Sequence, residues 1–293
     1  MNPANFRNTW VVFCLYSQER VTRNYHKLEA LLEILLRNGV EGIVLVDNSS
    51  GMLKAEINQF TSLSSKVQQL RGSNKYGEFS AWVEGMEYIV AEHGAKSFVL
   101  FNDTVFSHFK LFYWKIINFL SQIERYSKLE KPVQLGETVK LPYQSVVMGI
   151  SHKHFVRSAL FYLNESASSL FIAGCHRVFQ QAERAFCETN SFEMLKHFFN
   201  ESGAYHVGRW LFSGGWYGSK PYDQFAPRLL ELKVTAIACE HLSSATCIHH
   251  GGKAADSNLQ RNFNLPEQIR LFKSQLFGHP LFSLKMLRKL RGK

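Results

Sequence analysis

Apolar positions in the first hundred residues alternate between two periods. Thr9–Tyr16 is a run of β-branched and aromatic residues that predicts a buried strand. From Thr22 to Arg37 the spacing turns helical: Leu28, Leu31, Leu32, Leu35 and Leu36 form one stripe, and Gly39 follows as a C-cap candidate. Gly42–Asp47 predicts a second buried strand, Asn48-Ser49-Ser50-Gly51 a turn, and Val67–Leu70 a further short strand. After the loop Gly72–Gly77, Phe79, Trp82, Val83, Met86, Ile89 and Val90 recur at helical spacing up to Gly94. Ser97–Phe101 closes the series as another buried strand. Strands alternating with helices predict an α/β fold with a mostly parallel sheet and crossover helices on its faces.

Beyond residue 108 the pattern is less regular. A helix is expected over Phe109–Ile123, and a strand over Ser145–Ile150. His152-Lys153-His154 should then lead into a helical stretch ending near Leu163. The aromatic-rich region 168–230 reads as mainly helical, with short strand candidates at Val234–Cys239 and Ala245–Ile248 and an exit loop at Gly251-Gly252-Lys253. No internal repeat or low-complexity linker divides the chain. One domain over 1–264, with a tail over 265–293, is the expected organisation.

Composition narrows the class. The chain has 293 residues, 45% of them hydrophobic and 20% charged, which is ordinary for a globular protein. No apolar run approaches the roughly 18 residues of a membrane span. The opening residues Met1–Arg7 carry no signal-peptide apolar stretch, and the five cysteines show no CxxC spacing. A reduced, cytoplasmic protein is expected. Part of the net charge of +10 sits at the end, where basic and apolar residues interleave over Leu284–Lys293. That pattern suits either an amphipathic helix resting on anionic lipid, peripheral to the cell membrane, or a solvated tail. No zinc-ligand spacing or RNA-recognition motif points to a nucleic-acid partner.

The candidate chemistry lies at strand ends. Of only four aspartates, Asp47 and Asp103 terminate buried strands, where open α/β sheets bind ligands. Asn48, Asn74, Gly77 and Asn102 fall in the same loops. Such groups can hydrogen-bond a base or ribose, or hold a divalent ion against a diphosphate. A purely local role, capping a strand-to-helix turn, competes for each aspartate. GxGxxG and GxxxxGK[ST] are both absent, which argues against a dinucleotide-binding or P-loop enzyme.

Five segments together resemble one family. VVFCLYSQERVTRNYHKLEALLEIL, VLVDNSSG, NKYGEFSAWVEGMEYI, FVLFNDTVF and YQSVVMGISHKHF occur in the order found in GT-A type glycosyltransferases, similar to family 2 and its rhamnan-synthesis subgroup. The likeness spans about residues 8–160, with a fainter continuation to about 250. It implies a GT-A fold, with a nucleotide-sugar half over 1–108, a helical acceptor half over 109–264 and a basic C-terminal tail. It also implies transfer, with inversion, from a nucleotide-sugar to a bacterial surface polysaccharide (O-antigen or capsule) or lipid-linked acceptor.

Roles follow by position. Asp47 and Asn48 would bind the nucleoside, with Asn74 and Gly77 beside it. Asn102 and Asp103 replace the family's DxD and would face the diphosphate, through Mg²⁺ or Mn²⁺ or without a metal. One carboxylate of that motif is missing. Asp223 would open the helix that carries the acceptor base, with Glu183 and Glu201 as substitutes. His249 would complete a metal site with Asp103, against the alternative of a surface histidine pair with His250. Trp216, in a glycine-flanked loop, is an acceptor-platform candidate. The resemblance leaves two other readings open: a CMP-linked or phosphoribosyl-type donor, and a non-catalytic scaffold that binds a membrane or a synthase partner.

Overall fold

The computed structural model describes residues 8–94, 96–108, 111, 113–188, 192–215 and 218–257, with backbone alone at 108, 113, 114, 187, 188 and 192. The 265–293 tail and Trp216 lie outside the described residues. The first strand, β1 (Thr9–Leu15), is buried along its whole length, because helices cover both of its faces. A strand in that position must be apolar on both sides, hence the unbroken run TWVVFCL. Helix α1 (Gln18–Arg37) follows, then β2 (Gly42–Asp47), α2 (Lys54–Thr61), β3 (Val67–Arg71), α3 (Gly77–His93) and β4 (Ser97–Asn102). Every element expected up to residue 101 is present, and α2 is added.

Local chemistry sets the ends of these helices. Ser17 Oγ accepts from Arg20 N and caps α1, which therefore starts four residues before the predicted Thr22. Gly94 (φ 80°) stops α3 and donates to Val90 O.

The second half departs from expectation. A short helix α4 (Val105–His108) precedes α5 (Tyr113–Tyr126), the helix placed by sequence at Phe109–Ile123. The helix predicted through Leu163 is instead the second arm of a long hairpin, β5 (Val133–Val147) and β6 (Ile150–Leu163). Its turn is Met148-Gly149, both at positive φ (48° and 84°), a two-residue primed geometry that fits the strand twist. Helices α6 (Glu165–Glu188) and α7 (Glu201–Phe212) bear out the helical reading of 168–230. The strand candidates Val234–Cys239 and Ala245–Ile248 are both parts of α8 (Pro227–His249). Short apolar runs do not distinguish a strand from a buried helix. Here no glycine or proline interrupts the 23 residues from the N1 proline to His249. A last strand, β7 (Lys253–Asp256), completes the sheet.

The seven strands lie in the order β3-β2-β1-β4-β6-β5-β7. All neighbours are parallel except β6, which runs antiparallel to both β4 and β5. One core joins the sheet to α3, α6 and α8 around Trp82, Phe161 and Phe171. The other joins it to α1, α2 and α5 around Phe13, Leu31, Phe60 and Phe119. Two consequences matter for a site. The order reverses at β1: the chain moves outward to β2 and β3, then returns to β4 on the other flank. The crevice between the carboxyl ends of β1 and β4 is thus a topological switch point. In addition, Phe101 near the end of β4 lies opposite Leu160, so the Ile150–Ala159 part of β6 and its β5 partner overhang that same edge. Among the described residues, no helix is long and apolar enough to cross a membrane.

Candidate functional site

The carboxyl edge of the sheet gathers Asp47-Asn48, the 74–77 loop and Asn102-Asp103, as their strand-end positions predict. The structure also shows what each side chain does there. Asp47 is nearly buried, and its Oδ1 accepts from Ser49 N at 2.8 Å and from Ser49 Oγ. This is an aspartate turn that shapes the β2–α2 connection. Asn102 repeats the device, accepting from Thr104 N at 3.1 Å and from Thr104 Oγ1. Asn48 is buried and donates to Gly77 O at 3.1 Å, tying the β2 end to the start of α3. Asn74 is exposed, at φ 52°.

Asp103 sits at the switch point and is fully buried, with 0% exposure. Its Oδ2 accepts from Tyr16 N (2.9 Å) and Ser17 N (2.7 Å), and its Oδ1 meets Arg20 Nη1 at 3.4 Å. Burial pushes its carboxyl above the ordinary range, and the Ser17 and Tyr16 amides and the Arg20 guanidinium offset this only in part. The carboxylate therefore clamps the β1–α1 turn and presents no free edge to a ligand. The amides just before α1, which could otherwise have cradled a phosphate, are the ones Asp103 occupies.

Residues with no sequence signal stand around this crevice. Tyr16 is largely enclosed; its hydroxyl donates to Glu78 Oε2 at 3.4 Å, and burial raises its pKa far above the usual phenol value. Arg20 is 40% exposed in its side chain and is oriented by Asp103. Lys75 pairs with Glu183 at 2.6 Å, an exposed contact that raises the Lys75 pKa and lowers that of Glu183. Arg228 in the first turn of α8 donates to Lys75 O and pairs with Glu231 at 2.6 Å. Three cations thus flank the carboxyl edge. Arg20 and Arg228 are the third and second residues of their helices and carry no motif, so only the tertiary arrangement shows their proximity to the loops.

Asp223 lies in a 3₁₀ turn, Tyr222–Gln224, ahead of α8 and not at its opening. It is exposed, and Phe212 packs on both Tyr222 and Phe225 around it. Arg228, five residues on, fixes this end of α8 at the carboxyl edge. Glu183 is committed to Lys75, and Glu201 lies exposed in the first turn of α7.

The metal pairing of Asp103 with His249 does not form. His249 ends α8, two residues before the Gly251-Gly252 turn into β7, and Lys253 starts β7 beside Val133. Val133 opens β5, whose next residue Gln134 lies opposite Leu163, itself opposite Phe98 at the start of β4. His249 is therefore at the amino edge of the parallel strands, opposite the carboxyl edge that carries Asp103. Among the described residues no group of three or more His, Cys, Asp or Glu side chains is placed to hold a metal ion. Asp103, the carboxylate expected to meet a diphosphate-bound ion, is buried and already holds the Tyr16 and Ser17 amides and Arg20, so it is not turned toward Mg²⁺ or Mn²⁺.

His152 faces neither an acceptor nor solvent. It is buried, with Nε2 2.8 Å from Nδ1 of His241 on α8, and the Phe155 ring stacks on His241. No protein-family model matches the chain, and no curated protein matches its sequence.

Proposed function

We propose that this chain is a nucleotide-sugar-dependent glycosyltransferase of GT-A type. It would transfer with inversion to a glycan or lipid-linked acceptor during assembly of a bacterial surface polysaccharide, at the cytoplasmic face of the membrane. One observation carries the reading. The sheet reverses its order at β1, and the three loops that resemble the family's nucleotide-contacting motifs all emerge at that switch point. The overhanging β5–β6 hairpin and the start of α8 supply the opposite wall of the crevice, the side on which an acceptor would enter.

The residue roles follow the geometry. The nucleoside lies against the Asp47-Asn48 turn and the loop from Asn74 to Gly77, both held in shape by their internal hydrogen bonds. Arg20, Lys75 and Arg228 neutralise the diphosphate as it departs, because the Asp103 carboxylate is turned inward and the amides beside it are occupied. Asp223 is exposed at the same edge and deprotonates the acceptor hydroxyl, which then displaces the nucleoside diphosphate directly. No step is routed through a divalent ion. The inward turn of Asp103 also favours, as a second reading, a CMP-linked donor, whose monophosphate leaving group carries less charge to neutralise.

Nucleotide binding tests the proposal. UDP, GDP, dTDP and CMP are screened by thermal shift, each with and without Mn²⁺. One nucleotide should stabilise the fold, by about 2.7 kcal/mol when present at a hundred times its dissociation constant. Stabilisation by CMP alone selects the second reading, and stabilisation by none removes the enzyme reading in favour of a scaffold.

A further inference from the structure

The chain's positive charge is unevenly placed. Residues 258–293 contain eight lysines and arginines and one glutamate, which accounts for seven of the ten net charges. A second stretch is acid-free: Ser202–Tyr222 has no aspartate or glutamate and includes Tyr205, Arg209, Trp210 and Lys220. All of helix α7 but its first residue, the exposed Glu201, falls in this stretch. Its inner face, Gly203, Ala204, Val207, Gly208 and Leu211, is buried. Its outer face exposes Tyr205 (54%) and Trp210 (42%), with Arg209 exposed beside them. Two of the largest aromatic exposures on the described surface therefore share one helix face with a cation.

Helix α7 is also held in a projecting position. Asn200, its N-cap, accepts from Val146 N (3.2 Å) and Gly203 N (3.1 Å), and Asn200 N donates to Val146 O at 3.0 Å. Tyr143 stacks on His206 with ring centroids 3.7 Å apart. These contacts fasten α7 to the far part of β5, the part that overhangs the carboxyl edge.

We propose that the outer face of α7, through Tyr205, Arg209 and Trp210, rests on an anionic phospholipid surface. Tyrosine and tryptophan settle at the headgroup boundary, where an apolar ring and a polar atom are both accommodated, and a cation there meets lipid phosphate. Charge selects this occupant over a second copy of the chain, since two chains of +10 repel each other and an anionic bilayer attracts them. The docked face would turn the crevice mouth toward the membrane. The inference does not depend on the nucleotide-sugar reading, which the nucleotide screen tests separately.

The test is co-sedimentation of the full chain with vesicles of phosphatidylcholine alone, and of equal parts phosphatidylcholine and phosphatidylglycerol. Wild type should pellet with the anionic vesicles and far less with the neutral ones. Removing both exposed rings (Tyr205→Ala with Trp210→Ala) should lower the partition coefficient about tenfold. Reversing one charge (Arg209→Glu) should lower it about thirtyfold at low salt, from about 1 kcal/mol per charge near the surface. All three side chains are at the surface, so both variants should stay folded at the assay temperature, as their thermal midpoints will show. The proposal is overturned if both variants pellet like wild type, or if wild type pellets equally with neutral vesicles.

Discussion

Asp103 shows how one residue can satisfy a motif and still hold a different role. Its place after β4 made it the natural partner of a diphosphate, yet both of its oxygens are engaged by the β1–α1 junction. Replacing it with alanine strands the Tyr16 and Ser17 amides and leaves Arg20 without its partner. Asp103→Ala should therefore cost about 2–4 kcal/mol of stability, read as a lower urea midpoint. A variant with unchanged stability and lost nucleotide binding would restore the carboxylate to the ligand. Asp223 makes the opposite case. It is exposed in a three-residue 3₁₀ turn, so Asp223→Asn should leave the unfolding midpoint in place. Loss of a general base should slow transfer about a hundredfold or more, measured on the donor found by the nucleotide screen. Transfer at the wild-type rate would move the base elsewhere on the crevice rim.

Between elements, the junction of β6 with α8 should make stability depend on pH. Burial drives the pKa of His152 down to about 4 and that of His241 down to about 3, so both are neutral in the folded chain. Unfolding returns them to about 6.5, and the unfolded chain then binds the extra protons. Their contribution is complete above about pH 6.5 and drains away as the pH falls toward 4 and then 3. His154 stands near His152 and opposes its protonation, and the groups packed on the pair from β6 and from the segment before α7 are the rings of Phe155 and Phe199. Glu240, beside His241 on α8, works in the other direction. Burial raises it to about 7, so its contribution is complete below about pH 4.5 and lost as the pH rises through 7. Thermal midpoints from pH 8 to pH 4 should thus fall on the acid side, and the His152→Leu, His241→Leu double variant should flatten that limb. An unaltered acid slope in the double variant would place the proton uptake elsewhere.

At the scale of the whole molecule, topology separates the two residues expected to share a metal ion. Helix α8 crosses from the carboxyl edge at Arg228 to the amino edge at His249, so the sheet separates the two groups that a shared ion would have to join. EDTA should accordingly leave both the nucleotide-dependent thermal shift and the transfer rate within about twofold of their starting values, given that Asp103 is turned inward. A collapse of activity in EDTA, restored by Mn²⁺, would require donors from the substrate or from residues beyond those described. The same crossing sets α8 against the β5–β6 hairpin and frames the crevice, with Arg228 bonded to the 74–77 loop and the exposed Asp223 just ahead of the helix.

Much of this architecture is written in the chain itself. β1, β2 and β4 are buried on both faces, which demands continuous apolar runs, and those runs are unmistakable between loops rich in Gly, Asn and Ser. The helices α1 and α3 declare themselves by their stripes and their terminal glycines. The sequence also placed Asp47, Asn48, Asn102 and Asp103 at one edge, because parallel strands deliver their ends together. Tertiary structure decided the rest. Val234–Cys239 is a helix because it packs between the sheet and α6, and His152–Leu163 is a strand because it finds β4 and β5 on either side. Asp103 turns inward because its donors, Tyr16 and Ser17, arrive from 87 and 86 residues away. Local pattern records the period of burial; which partner takes a lone pair is a long-range choice that no neighbouring residue encodes.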